Sequence, residues 1–191
     1  MTQIDDDDNG EIYSIRLGGS KFVVVSRYEG VAYIHIREYL KKLSGSIYPT
    51  KKGVALNESR LSAFLSFKDE VSQKIAKWSE DEDEEEEEEE WQKDLGGGNK
   101  ITIKPQYKCI DFRRYFIPND EDKEKPTRSG ISVKFTEWER LLKIIKKVQN
   151  MVDEFKEPKH CTEGLDHQNQ LGALRCRECT PYPTKELLDY C

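Results

Sequence analysis

Two stretches of the chain share one order of hydrophobic and polar positions. Residues 12–78 contain alternating, β-branched and aromatic segments separated by Gly-Gly and Glu-Gly turns, and then an amphipathic stretch with helical spacing. Residues 91–156 repeat this order with a shorter hairpin and more divergence. Each stretch therefore predicts a four-stranded antiparallel sheet followed by one C-terminal helix, so the predicted fold class is α+β with two tandem ββββα modules.

The repeat can be followed residue by residue. In the third predicted strand, Arg113 follows Arg37 by 76 residues; before the fourth strand, Gly130 follows Gly53 by 77 residues. A repeat of this length indicates two copies of one small domain rather than a solenoid of short units. A copy of about 65 residues buries only a thin core and gains much by pairing. We therefore predict that the copies pack as an intramolecular pseudo-dimer, with a homodimer as the other arrangement left open.

Both predicted helices carry an apolar stripe. Asn57 stands where the N-cap of the first helix is expected. The first stripe consists of Leu61, Leu65, Val71, Ile75 and Trp78. The second consists of Trp138, Leu141, Leu142, Ile145, Val148, Val152 and Phe155. One face of each helix is thus expected to be buried.

Charge divides the chain into segments that its net charge of −6 conceals. Residues 12–78 carry 12 Lys+Arg against 5 Asp+Glu, and residues 99–157 carry 14 against 10, whereas residues 80–98 carry 1 against 12. We predict a disordered acidic N-terminus (1–11), a first domain (12–78), an acidic linker (79–90), a second domain (91–156) and an irregular Cys-containing tail (157–191). Basic modules beside an acidic linker suggest contact with nucleic acid.

The third strand of each module predicts a basic and aromatic sheet face. Because side chains alternate along a strand, His35, Arg37 and Tyr39 share one face, while Leu40 joins the opposite, core-facing set. In the second module Asp111, Arg113 and Tyr115 share a face, and strict alternation places Phe116 in the core unless the strand end turns it outward. Such a surface offers cations to phosphates and rings to bases, so it can hold single-stranded DNA without reading its sequence.

Both modules resemble the single-stranded-DNA-binding domain of the positive cofactor four family of RNA polymerase II transcriptional coactivators. The resemblance depends on Ile36-Arg37-Glu38-Tyr39 and on the Pro49–Leu56 segment PTKKGVAL, which the second module matches less closely. It implies that the Arg of strand three and a basic turn contact DNA; Ser129 replaces the second cation of that turn in the second module, and the family's strand-three Trp falls at Leu40 and Phe116. The residues predicted to contact DNA are Lys21, Tyr28, Arg37, Tyr39, Lys51, Lys52, Lys100, Arg113, Tyr115, Phe116 and Arg128.

The sequence therefore predicts a nuclear, non-enzymatic coactivator-like protein that binds single-stranded or melted DNA in RNA polymerase II transcription, with transcription machinery or activators as protein partners. Two alternatives stay open: a single-strand protector in repair or replication, and an interaction adaptor that uses the acidic linker. RNA is not excluded as a ligand, since nothing in the sequence reads a 2′-hydroxyl. No phosphate-binding loop, nucleophile elbow or apolar run long enough for a bilayer is found, and no cofactor is expected.

Four of the five cysteines follow residue 160. Five is an odd number, and the uneven spacing does not indicate a disulfide framework. A single CxxC is weak evidence for a metal site, so no metal is predicted; if zinc were bound, the candidate ligands would be Cys161, Cys176, Cys179 and Cys191.

Overall fold

A computed structural model describes residues 10–80, 91–118, 121–167 and 169–182. Most of the predicted acidic linker (81–90), residues 1–9 of the predicted disordered N-terminus and Cys191 lie outside the described residues. No helix within the described ranges is both long and apolar enough to cross a membrane.

The first module is an antiparallel four-stranded sheet followed by a helix, as predicted, and the strands neighbour each other in chain order. Asn57 caps the helix, because its Oδ1 accepts a hydrogen bond from the backbone N–H of Arg60 at 3.0 Å. The elements are β1 (Glu11–Gly18), β2 (Lys21–Tyr28), β3 (Val31–Lys41), β4 (Ile47–Leu56) and α1 (Glu58–Glu80).

The second module repeats this order with its fourth strand broken in two. Its elements are β5 (Gln92–Gly96), β6 (Asn99–Lys104), β7 (Cys109–Phe116), β8 (Lys125–Pro126), β9 (Ile131–Lys134) and α2 (Phe135–Met151). Both β8 and β9 pair with β7, so together they occupy the place of β4. Strand β7 begins only at Cys109, because Pro105–Tyr107 form a 3₁₀ turn.

Each helix packs against the other module's sheet. Helix α1 lies on β5, and α2 lies on β1 and β2. Two indole N–H groups fix this exchange: Trp91 donates to Glu70 of α1 at 2.6 Å, and Trp138 of α2 donates to Ser72 of α1 at 2.9 Å. The two modules of one chain are therefore packed reciprocally, as the predicted pseudo-dimer requires.

One hydrophobic core serves both modules. At its centre the ring of Phe64 from α1 lies 6.0 Å from Phe112 of β7 and 5.7 Å from Trp138 of α2. All three side chains are at most 1% exposed. Because the ring of Phe64 packs in the part of the core that both modules share, neither module completes its core alone. The predicted division into separate domains stays a prediction.

The third residue of each helix contacts a glycine turn of the opposite module. Arg60 of α1 lies against Gly96 and Gly97 after β5, and Glu137 of α2 lies against Gly18 after β1. An added Cβ at Gly97 would come within 2.2 Å of the guanidinium of Arg60, and one at Gly18 within 2.5 Å of the carboxylate of Glu137. A side chain at Gly97 would be strained by its φ of +58°, whereas one at Gly18 would require only that the flexible carboxylate of Glu137 move aside.

The tail after residue 157 folds back onto the modules. It contains 3₁₀ turns at Cys161–Glu163 and Leu165–His167 and a short helix, α3 (Gln170–Arg175), which the sequence analysis did not predict. The predicted stripe of the second helix is also corrected, since α2 ends at Met151 and Phe155 is buried from a following 3₁₀ turn.

Candidate nucleic-acid interface

The outer face of the first sheet is built by strict alternation along β3. Ala32, Ile34 and Ile36 point into the core. The alternate side chains, which are only partly buried, are Tyr33, His35, Arg37 and Tyr39. Leu40 was expected on the core face, but it is 45% exposed because the register shifts between Arg37 and Tyr39 and ends the alternation.

Arg37 sits at the centre of this face. Its Nη1 donates to the carbonyl oxygen of Thr50 at 2.6 Å, and Gly53 is its register partner on β4. An added Cβ at Gly53 would come within 2.6 Å of the carbonyl of Ile36, so glycine lets β4 pass directly beside the arginine. Among the residues that the structure describes, no carboxylate pairs with Arg37, so its charge is available to an anionic ligand.

The predicted basic turn is a bulge inside β4. Thr50 organises it, because its hydroxyl donates to the carbonyl of Glu38 at 2.8 Å and accepts from the N–H of Lys52 at 3.1 Å. Lys51 and Lys52 are consequently held in an exposed position beside Arg37. Lys52 also pairs with Glu38 at 3.2 Å, a surface ion pair that costs little to exchange for a phosphate.

Aromatic rings lie on the same sheet face as Arg37. Tyr28, at the end of β2, is 58% exposed, and Tyr39 packs edge-on against Phe22 with 5.1 Å between ring centroids. Phe22 is the register partner of Arg37, so it shares the outer face. Sequence reasoning missed Phe22 and Tyr33, although their even-numbered separations from Tyr28 and His35 would have placed them there.

In the second module Arg113 repeats the geometry of Arg37 but not its charge environment. Its Nη1 donates to the carbonyl of Thr127 at 2.6 Å, as Arg37 does to Thr50. Arg113 also donates to both carboxylate oxygens of Asp111, at 2.8 and 3.1 Å, and Asp111 is 2% exposed. This hydrogen-bonded pair raises the pKa of Arg113; although burial opposes it, the bond from Arg113 also lowers the pKa of Asp111. The second arginine is thus neutralised within the protein.

Lys100 and Tyr115 are likewise engaged. The ammonium group of Lys100 lies 5.1 Å from the ring centre of Tyr115 and pairs with Glu124 and, at 3.8 Å, with Asp94. Burial works against the charged form, but the hydrogen bond to Glu124 raises the pKa of Lys100. The Tyr115 hydroxyl accepts a hydrogen bond from Gln92 at 3.0 Å. This part of the second face is a closed polar network.

Two predicted residues of the second module are exposed. Phe116 is 43% exposed, because it is the last residue of β7 and pairs only with Lys125 of the short β8. Arg128 is exposed in the turn between β8 and β9. The second module therefore offers one ring and one cation outside its closed network.

Lys21 lies away from this surface. It pairs with Glu38 in the sheet register and so points to the side opposite Arg37, where its ammonium group binds Glu137 of α2 at 2.6 Å. Its expected counterpart Lys100 instead pairs with Arg113. The additional glycine of the second turn shifts the apparent sequence match by one residue, and one residue is enough to change the face of a strand.

The two fourth strands meet at the module boundary. The backbone N–H of Gly53 donates to the carbonyl of Ser129 at 2.8 Å, which brings the two basic segments side by side. A cleft of about 730 Å³ opens there, lined in part by Arg60, Arg114 and Arg177. Sequence analysis missed this cleft, because its arginines come from α1, from the core-side positions of β7 and from the tail.

His35, on the outer face of the first sheet, makes the stability of the folded protein dependent on pH. Burial and the neighbouring Arg37 lower the pKa of His35 from 6.5 to about 4. Between these values the unfolded chain binds the proton and the folded chain does not, so acidification favours unfolding. We expect a loss of at most about 3 kcal/mol between pH 6.5 and 4, reduced by partial solvent access.

The measurement is urea unfolding across this pH range, compared between wild type and His35→Gln, which keeps a polar group for the 2.9 Å contact with Ser26. The variant should show a weaker fall in stability as the pH decreases. Identical slopes for the two proteins would contradict a neutral, shielded His35.

Comparison with known proteins identifies relatives of the first module. Residues 15–67 match the family model "Transcriptional Coactivator p15 (PC4)". The RNA polymerase II transcriptional coactivator KELP of Arabidopsis thaliana is 31% identical over 71 residues, 37% of this chain and 42% of the relative. A putative RNA polymerase II transcriptional coactivator of Caenorhabditis elegans is 27% identical over 74 residues, 38% of this chain and 58% of the relative.

The alignments thus span about half the length of these curated relatives. No solved structure matches the chain significantly. The matched segment covers β2, β3, β4 and the first half of α1, which are the elements that carry Arg37, the β4 bulge and the aromatic rings. The first module is therefore similar to the transcriptional coactivator p15 (PC4) family, the family that the sequence analysis named.

Proposed function

We propose that this protein binds single-stranded or melted DNA without strong sequence preference, and that the first module makes most of the contact. The observation that carries the proposal is Arg37: a cation held in place by a backbone carbonyl, without a carboxylate partner among the described residues, beside Lys51 and Lys52. Tyr39 lies two residues further along β3, and Tyr28 lies towards the other end of the same face, opposite Val31; both offer flat surfaces for bases.

The chemistry of such a face suits a single strand. Arginine and lysine bind phosphates at every nucleotide, so they give affinity that falls steeply with salt. Stacking of a base on an aromatic side chain adds about 1–3 kcal/mol per base and works for any base. Neither interaction selects a sequence, which agrees with the scarcity of side-chain amides on the outer face of β3.

The role in the cell is proposed from the similarity of the first module to these relatives. Relatives that match the first module are named RNA polymerase II transcriptional coactivators. We propose that this chain is likewise a nuclear, non-enzymatic coactivator, with transcription machinery or activators as its partners. The second module, whose Arg113 is neutralised by Asp111, would serve mainly to complete the core and extend the surface at Phe116 and Arg128.

The test is a titration of the full chain with oligo-dT at several salt concentrations. Arg37→Ala should weaken binding about tenfold and reduce the salt dependence by about one phosphate contact. Arg113→Ala should weaken it less than about threefold, because that guanidinium already pairs with Asp111. Lys146→Ala, which removes an exposed cation from α2, is the matched control and should leave affinity unchanged.

Equal effects of the two arginine substitutions would refute the proposed asymmetry between the modules. No affinity of the wild type for oligo-dT at low salt would overturn DNA binding and favour the adaptor alternative. Circular dichroism of each variant separates loss of contact from loss of fold, since Arg37 also fixes the β4 bulge.

A further inference from the structure

The tail brings three thiols and one imidazole to a single point. The ligand atoms of Cys161, His167, Cys176 and Cys179 all lie within 4.8 Å of one another. The Sγ atoms of Cys161 and Cys179 are 3.5 Å apart, and Nε2 of His167 is 3.3 Å from Sγ of Cys179. This cluster lies outside the sheet faces and plays no part in the proposed DNA contact.

We propose that these four residues bind a structural zinc ion. Zinc takes Cys sulfur at about 2.3 Å and His nitrogen at about 2.0–2.1 Å in a tetrahedron, so its ligands stand about 3.5–3.8 Å apart. The observed separations approach these values. Four protein ligands close the coordination sphere, which is typical of structural rather than catalytic zinc.

The surroundings of the cluster support this assignment. Leu165, Leu171 and Leu174 are 77%, 64% and 44% exposed, so the segment that carries the ligands has almost no core of its own. A short segment of this kind needs a metal or disulfide to fix its fold.

The proposed ligand set differs from the candidates of the sequence analysis, which predicted no metal and named Cys191 as the fourth candidate. The structure brings Cys161, Cys176 and Cys179 together, as the candidate set requires. The fourth member of the cluster is His167, and Cys191 lies outside the described residues. His160, which directly precedes Cys161, caps a 3₁₀ turn, because its Nδ1 accepts a hydrogen bond from the backbone N–H of Thr162 at 3.4 Å. A spacing of Cys-x5-His before the Cys-x2-Cys pair is irregular enough to escape a pattern search.

Zinc at this point would fix the tail across both modules. Glu178 lies between two of the ligands; its carboxylate accepts from Arg60 at 2.7 and 3.0 Å and from Asn57 at 2.8 Å. Its backbone carbonyl accepts from Gly97 of the second module at 3.0 Å. The Cys176–Cys179 segment therefore positions Glu178, which connects Arg60 of α1 to the glycine turn at Gly97.

The experiment measures metal on the purified full chain. Elemental analysis should find about one zinc per chain, and Co²⁺ added to the metal-stripped protein should give tetrahedral d–d bands with sulfur-to-cobalt charge transfer. Cys179→Ser and His167→Ala should each lower zinc affinity at least about tenfold. Cys109→Ala removes a buried thiol of β7 outside the cluster and should retain the metal.

Absence of zinc together with an octahedral cobalt spectrum would overturn the assignment, and so would a Cys161–Cys179 disulfide found by mass spectrometry in freshly purified protein. The cobalt titration of the wild type decides the matter even if a variant fails to fold. Because metal content is read without DNA, its outcome is independent of the proposed DNA binding.

Discussion

Phe64→Ala is expected to destabilise both modules at once, by about 3–5 kcal/mol. The ring is fully buried and touches Phe112 of the second sheet and Trp138 of the second helix, so its removal leaves a cavity bordered by both halves. A loss of this size is a large share of the stability of a typical domain. Because α1 and α2 are exchanged between the sheets, neither half can lose its packing without the other.

Denaturant unfolding followed by two probes checks this result. Tryptophan fluorescence reports Trp78 of α1, Trp91 beside β5 and Trp138 of α2, and far-ultraviolet circular dichroism reports all elements. Both should show one coincident transition that shifts to lower denaturant in the variant. Leu43→Ala, at a fully exposed position in the β3–β4 loop, should change stability by less than about 0.5 kcal/mol. Two separate transitions in the wild type would mean that the modules have independent cores.

The internal repeat made much of this architecture predictable. Arg37 and Arg113 were matched from the sequence, and in the structure each donates to the carbonyl of the matched threonine, Thr50 or Thr127, at 2.6 Å. The strand order, the helix after each sheet and the Asn57 cap follow from local patterns of alternation, spacing and turn residues. Local patterns suffice here because antiparallel neighbours in the chain are also neighbours in the sheet.

The exchange of the helices could not be predicted in this way. Periodicity identifies which face of a helix is apolar but not which sheet covers that face. Phe64 illustrates the limit: it lies three residues after Leu61 but was not among the predicted stripe residues, and its importance comes from contact with Phe112 and Trp138, far away in the chain. His167, the fourth ligand of the proposed zinc site, was missed for the same reason, since only the folded tail brings it to the cysteines.

The faces of individual strands show a second limit. Where His35 stands in the first module, Asp111 stands in the second, and this one difference changes a cationic face into a neutralised one. The sequence displayed both residues, but their effect depends on burial: Asp111 is 2% exposed and therefore stays bound to Arg113. Two copies of one fold have thus diverged in charge while keeping the same backbone contacts.

Lys21 separates a structural role from a DNA-binding role. Its ion pair with Glu137 is largely shielded, with side-chain exposures of 19% and 16%, and joins β2 of one module to α2 of the other. Lys21→Met should leave the Glu137 carboxylate without its partner and cost about 2–3 kcal/mol of stability. Its effect on oligo-dT affinity should be small, because the side chain points away from Arg37.

The double variant Lys21→Met/Glu137→Leu is the decisive comparison. Replacing both partners of a shielded pair by apolar groups is often neutral or stabilising, so the double variant should recover most of the stability that Lys21→Met loses. Denaturant midpoints of the four proteins in this cycle give the coupling energy. If Lys21→Met lowered DNA affinity as strongly as Arg37→Ala while leaving stability unchanged, the lysine would belong to the DNA-binding surface after all, and the interface between the modules would have to open when DNA binds.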